Sequence, residues 1–178
     1  MWKFAFLLAV PVLFLHCSSS QTKKSVNQSI MDNSAKNPVY SRVDTSKVDL
    51  SDQEWKKILP EEVFWIARMK GTERPGTSEF EHSKAIGTYY CKACGNPLFK
   101  SDTKFDSGCG WPSFYEPISK SSIIYTPDHS HGMNRTEVQC GRCKAHLGHV
   151  FEDGPPPTGL RYCINGVILD FEEKKKDD

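Results

Sequence analysis

The thiol at Cys163 has the sequence neighbours of a reactive group. Arg161 stands two residues before it and Asn165 two residues after, in the run Arg161-Tyr162-Cys163-Ile164-Asn165. On a strand, side chains at i, i+2 and i+4 share a face. Arg161, Cys163 and Asn165 are therefore expected on one surface, with Tyr162 and Ile164 turned into a core. A guanidinium beside a thiol favours the thiolate, which is the reactive form. The plain structural reading is a buried cysteine in a C-terminal strand. Cys109 lies between two glycines in Phe105-Asp106-Ser107-Gly108-Cys109-Gly110-Trp111-Pro112-Ser113-Phe114, so its backbone is mobile and its thiol approachable. Trp111 in that loop reads as packing. His146 and His149, three apart in His146-Leu147-Gly148-His149-Val150-Phe151, have the residue type of metal ligands, or they are structural or surface residues.

Four other cysteines do different chemistry. Cys91-Lys92-Ala93-Cys94 and Cys140-Gly141-Arg142-Cys143 are two similar knuckles, each aiming two thiolates at one point. Gly95 and Gly141 are expected to allow the tight backbone that such turns need. Two such turns complete a tetrahedral four-thiolate zinc site with no open position for substrate, so the expected role is a structural staple. Two disulfides, or one redox-active C-x-x-C, are the alternatives.

The elements that position these groups follow from patterning. Ser51-Asp52-Gln53-Glu54 has the form of a capping box and predicts a short helix through Trp55 and Ile58. Pro60 suits a first helical position and Gly71 a stop, with Val63, Phe64, Ile66, Ala67 and Met69 between them. From Gly87 onward short β-type runs alternate with Gly, Pro, Asp and Ser. Thr88–Tyr90, Ser122–Tyr125, Thr136–Gln139 and Gly166–Leu169 are the candidate strands. Frequent turns predict a mainly β, antiparallel domain over residues 51–172, with a charged tail at 173–178.

Residues 1–20 read as a targeting segment: Lys3, then an apolar run from Phe4 to Leu15, then Cys17 and three serines. The run is too short to span a bilayer comfortably. It resembles a bacterial lipoprotein signal with Cys17 as the lipidated residue, although His16 and Phe14 depart from that pattern; an uncleaved anchor or a cut elsewhere is the alternative. The expected location is therefore exported, in the cell envelope or periplasm, with membrane contact only through a lipid on Cys17. Residues 21–50 are polar with few large apolar side chains and are expected to be a flexible linker. A net charge of +1 gives no footprint for nucleic acid.

The segments Gly108–Phe114, His146–Phe151 and Arg161–Asn165, framed by the two knuckles, resemble the peptide methionine-R-sulfoxide reductases of the B class. The resemblance runs from about Trp55 to Phe171 and includes Thr103–Gly108 and Pro157-Thr158-Gly159. Gly166 departs from it, since many family members carry serine there. The resemblance implies two antiparallel sheets of the β-tent type, with short N-terminal helices and one structural zinc on Cys91, Cys94, Cys140 and Cys143. It implies that Cys163 attacks the sulfoxide sulfur and becomes a sulfenic acid, and that Cys109 resolves it as a disulfide recycled by thioredoxin or a similar dithiol. It assigns proton supply to His146 and His149, orientation of the oxygen to Asn165, thiolate support to Arg161, and the methyl pocket to Trp111 and Phe151. The substrate would be oxidised methionine, protein-bound or free. A zinc-ribbon-type binding module is the reading from another class.

Overall fold

The computed structural model describes residues 37–175. The targeting segment and Cys17 lie outside them. The capping box forms as predicted: Ser51 Oγ accepts from the Glu54 N–H, and the Glu54 carboxylate accepts from the Ser51 N–H at 2.8 Å. It starts α1 (Asp52–Ile58), which buries Trp55. α2 (Glu61–Met69) follows with Pro60 as its N-cap and buries Val63, Ile66 and Ala67 against the sheets. Its left-handed stop falls on Lys70, with φ 55°, one residue before the predicted glycine. Gly71 is needed for another reason. A Cβ there would sit 2.4 Å from the Trp65 ring, so the chain could not fold back against α2.

Nine strands follow: β1 (Gly87–Cys91), β2 (Pro97–Lys100), β3 (Lys104–Phe105), β4 (Ser113–Phe114), β5 (Ile123–Asp128), β6 (Arg135–Cys140), β7 (His146–Phe151), β8 (Arg161–Ile164) and β9 (Leu169–Glu173). They form two antiparallel sheets, ordered β2-β1-β9 and β3-β4-β8-β7-β6-β5. Tyr89 of the first sheet packs edge-on to Phe114 of the second at 5.0 Å, and Phe99 stacks on Phe114 at 4.4 Å. Leu98, Leu147, Ile164 and Ile168 close the same core. Burying each such side chain contributes about 1.5–3 kcal/mol.

Two boundaries differ from the sequence expectation. Gly166–Ile168 is a 3-10 turn instead of a strand, because Glu73 accepts the N–H groups of Gly166 and Val167 and removes them from any ladder. The strand begins only at Leu169 and runs into the expected tail, pairing Glu173 with Gly87, while the Lys174 N–H donates to Ile86.

Residues 37–50 depart further, since composition alone had made them part of a linker. They lie as a strap across both knuckles. The Asn37 amide donates to Ala93 O at 2.8 Å, and the Ser41 N–H to Cys94 O at 3.0 Å. Arg142, buried, reaches back to the carbonyls of Ser46, Val39, Ser41 and Cys94 and to the Asp44 carboxylate. A guanidinium carries five donors, so one buried arginine can organise a segment that offers many carbonyls and few apolar side chains. We expect Arg142→Ala to destabilise the protein by at least about 2 kcal/mol and to open residues 37–50 to protease. Urea unfolding and limited proteolysis check both.

Candidate active site

Both knuckles are hairpin turns. Cys91 ends β1 and Cys140 ends β6, so each pair of thiols sits where a sheet turns back on itself. The left-handed residue is the one after the second cysteine in each, Gly95 at φ 80° and Lys144 at φ 60°. Gly141 therefore serves close approach and not turn geometry: a Cβ there would lie 2.0 Å from Ser121 O. The four buried sulfurs all lie within 4.8 Å of one another. Cys91 Sγ is 3.8 Å from Cys143 Sγ, and Cys94 Sγ is 3.6 Å from Cys140 Sγ. A tetrahedron of sulfurs at a zinc–sulfur distance of about 2.3 Å has edges of about 3.8 Å. The donor set and its size fit such an ion, with no fifth group nearby for catalysis among the described residues. The four-thiol cluster joins the β1–β2 turn of one sheet to the β6–β7 turn of the other.

The two other described thiols lie elsewhere, Cys163 on β8 of the larger sheet and Cys109 on the loop before β4. Tyr162 and Ile164 are buried, as strand alternation predicts, and Cys163 on the other face is partly exposed. Cys163 pairs across the ladders with Ser113 of β4 and His149 of β7. Cys109, from the glycine loop, brings its Sγ to 3.6 Å from Cys163 Sγ, so closing a disulfide of about 2.05 Å asks only a small shift of one side chain. Gly108 and Gly110, with φ 68° and 94°, permit the turn that delivers it.

Beside the two thiols is a cavity of about 130 Å³, lined by Thr72, Trp111, Arg135, Gly148, His149, Phe151, Cys163 and Asn165. Trp111 and Phe151 provide its aromatic walls. A larger hollow of about 650 Å³ lies at the far sheet, near Ile86 and Lys100, and holds no cysteine or histidine.

The two thiols ionise in opposite directions. Burial pushes the Cys163 thiol up to about 12, and the neighbouring Cys109 adds to this; Arg161 pulls it down without prevailing. Burial also raises Cys109, but hydrogen bonds from Ser107 and Ser113 outweigh it and leave that thiol below its usual value. Ser107 Oγ is 3.0 Å and Ser113 Oγ 3.5 Å from Cys109 Sγ. Arg161 was expected to favour the Cys163 thiolate; it does pull that way, but burial and Cys109 outweigh it. Its guanidinium is also engaged by both carboxylate oxygens of Asp153 at 2.8 Å. It also lies 4.4 Å over the Phe151 ring and holds that wall of the cavity. At near-neutral pH we expect iodoacetamide to label Cys109 before Cys163, with Cys163 labelling rising about tenfold per pH unit, since alkylation follows the thiolate fraction. Peptide mapping reads this directly; Cys163 labelled first would contradict it.

His146 and His149 should face opposite sides of a regular strand, being three apart. A bulge decides otherwise: Val138 pairs with Gly148 but Gln139 with His146, so Leu147 is the extra residue. Both rings then lie near each other, with centroids 5.5 Å apart. Such bulges re-aim side chains beside sites. The two are nonetheless unequal. His146 is buried, its Nδ1 2.7 Å from Glu137, and burial lowers its proton affinity despite that partner. It does not reach the cavity lining, whereas His149 does.

Asn165 lies on the expected face just beyond β8, but its amide is engaged. Its Oδ1 accepts from the Glu73 N–H and its Nδ2 donates to Leu147 O, both at 3.0 Å. Glu73 also accepts the Trp111 indole N–H on its carbonyl at 3.1 Å, so one loop residue anchors both Trp111 and Asn165 of the cavity lining. Sequence reading missed Glu73, Thr72, Arg135 and Asp128, since none carries a local signal. Gly166 is also explained. A Cβ there would lie 1.8 Å from Ser78 Oγ, which fills the space a serine would use.

The SelR domain family matches residues 59–173. The chain belongs to the SelR family. Similar relatives carry the name peptide methionine sulfoxide reductase MsrB. That of Pseudomonas putida (strain W619) is 60% identical over 128 residues, covering 72% of this chain and 96% of the relative. That of Pseudomonas syringae pv. syringae (strain B728a) is 58% identical over 125 residues, covering 70% and 95%. The SelR region contains both knuckles, Cys109, Cys163, His146 and His149. The strap at 37–50 precedes it.

Proposed function

We propose that this protein reduces methionine-R-sulfoxide, in proteins and as the free amino acid, to methionine. The observation that carries the reading is Cys109 and Cys163 at 3.6 Å beside a small cavity walled by Trp111 and Phe151. The aromatic walls suit an S-methyl group, since sulfur and methyl contacts with rings are favourable. Cys163 Sγ attacks the sulfoxide sulfur while the sulfoxide oxygen takes protons. Methionine leaves, and the oxygen remains on Cys163 as a sulfenic acid. Cys109 then attacks Cys163 Sγ, water departs, and a Cys109–Cys163 disulfide forms. An external dithiol, thioredoxin or a similar one, reduces that disulfide and is itself oxidised.

A thiol with its pKa at about 12 is neutral before substrate arrives, so its own proton is available to the basic sulfoxide oxygen. His149, across the ladder from Cys163, lends a second proton and takes one back as the sulfenic acid forms, so the step consumes none overall. His146 stands behind it. Asn165 and Arg161 hold the cavity, the first through Glu73 and Leu147 and the second through Phe151. Zn²⁺ on Cys91, Cys94, Cys140 and Cys143 would cross-link the two sheets and take no part in the reaction. We place the protein outside the cytoplasm, tethered through Cys17; mass spectrometry of the mature protein for a lipid-modified Cys17 tests that separately.

The activity test incubates reduced protein with dithiothreitol and a peptide carrying resolved sulfoxide epimers. Consumption of the R epimer alone is the expected result. Consumption of neither, or of both alike, defeats the reading.

A further inference from the structure

Resting on that reading, we propose that Asp128, clamped by Arg135, is a positioning residue that sets the proton-donating state of His149. Neither Asp128 nor Arg135 carries a local motif; the β5–β6 hairpin brings them together as its last register pair. Asp128 Oδ2 accepts from Arg135 Nη2 at 2.8 Å and lies 2.7 Å from His149 Nε2, while Oδ1 accepts the Ser130 N–H at 2.9 Å. The carboxylate is thus held on both oxygens and aimed at one ring nitrogen of the histidine that lines the cavity. The Ser130 hydroxyl and amide, then His149, keep the Asp128 carboxyl far below the usual range, so it stays an acceptor.

An ionised carboxylate at Nε2 makes that nitrogen the permanent donor. Nδ1 is then the position that gains and gives the mobile proton. This is the division of labour by which a carboxylate orients a catalytic imidazole and supports its charged form. Arg135 belongs to the device and not only to the hairpin. It lines the cavity, and its Nε is one of two buried side-chain atoms without a hydrogen-bond partner among the described residues. A surface ion pair would leave that donor in water; here the guanidinium is drawn in to hold Asp128.

The other charged and titratable groups around His149 are Cys163 on β8, Glu137 on β6, and His146 on its own strand. Glu137 is already committed to His146 and, at 2.7 Å, to Lys70. Asp128 is the acid left to act on His149.

The test uses the full zinc-loaded protein. Single-turnover reduction of methionine-R-sulfoxide is followed from pH 6 to 9, with ¹⁵N-imidazole spectra of the same samples. In the unsubstituted protein His149 should show the proton on Nε2 as its ring loses charge. Asp128→Asn should slow single turnover by about 100-fold, the range of one general acid, and move the high-pH fall of the rate to lower pH. Arg135→Lys should recover much of what Arg135→Ala loses. A neutral His149 with its proton on Nδ1 in the unsubstituted protein overturns the proposal, and this readout needs no variant to fold. An Asp128→Asn protein with unchanged rate and profile, or a slower one with an unmoved profile, overturns it as well. No reduction by the unsubstituted protein at any pH defeats the proposed function instead, which the nuclear magnetic resonance readout does not depend on.

Discussion

The Cys163→Ser protein should release no methionine from methionine-R-sulfoxide above background, whatever the reductant. A serine hydroxyl in the same place is far harder to ionise than a thiol, and it cannot take the oxygen as a sulfenic acid. The cavity, Trp111, His149 and Cys109 all remain, so substrate binding should survive while chemistry stops. Cys109 cannot substitute: hydrogen bonds from two serine hydroxyls hold its pKa below the usual thiol value, but it reaches the cavity only through Cys163 and does not line it. The companion Cys109→Ser protein separates the steps. It should yield about one methionine per chain and then stop with Cys163 as sulfenic acid, because the group that expels water is gone. Rapid quench with counting of methionine, and a dimedone-type trap on Cys163, give both answers. Sustained thioredoxin-dependent turnover by Cys163→Ser would defeat the assignment.

Loss of one knuckle cysteine should be as severe, but for folding. In Cys94→Ser or Cys140→Ser the metal should leave and the protein should lose on the order of 5 kcal/mol or more, comparable with the whole stability of many domains. The reason is architectural. Cys91 and Cys94 belong to the turn of one sheet, and Cys140 and Cys143 to the turn of the other, so an ion held by the four would cross-link the sheets. The strap and Arg142 lie over the same turns and should loosen with them. Elemental analysis showing about one zinc per chain in the unsubstituted protein, and thermal unfolding of the variants, check this. A variant that keeps its midpoint without metal would show that the thiols are not a staple.

Several features were legible residue by residue. The repeated C-x-x-C spacing announces a four-thiolate site because two thiols on one tight turn have few other geometries. The capping box at Ser51 and Glu54 is a local pattern with a local cause. Alternation along Arg161–Ile164 placed Tyr162 and Ile164 inside, since a strand has only two faces. The polar stretch 37–50 was misread for a related reason: composition measures what a segment can bury, but here a distant buried arginine supplies the hydrogen bonds.

The sequence by itself determined which groups are present: seven cysteines, of which four form the two knuckles, the pair His146 and His149, and an aromatic loop in the order of one family. Tertiary structure alone decided what each can do. Burial and hydrogen bonding, which are long-range properties, keep Cys163 protonated and lower Cys109. A one-residue bulge at Leu147 brings His146 and His149 together, and strand register hands His149 to Asp128 and Arg135. A pKa and a proton path depend on atoms a few ångströms away in space, and those atoms lie tens of residues away along the chain.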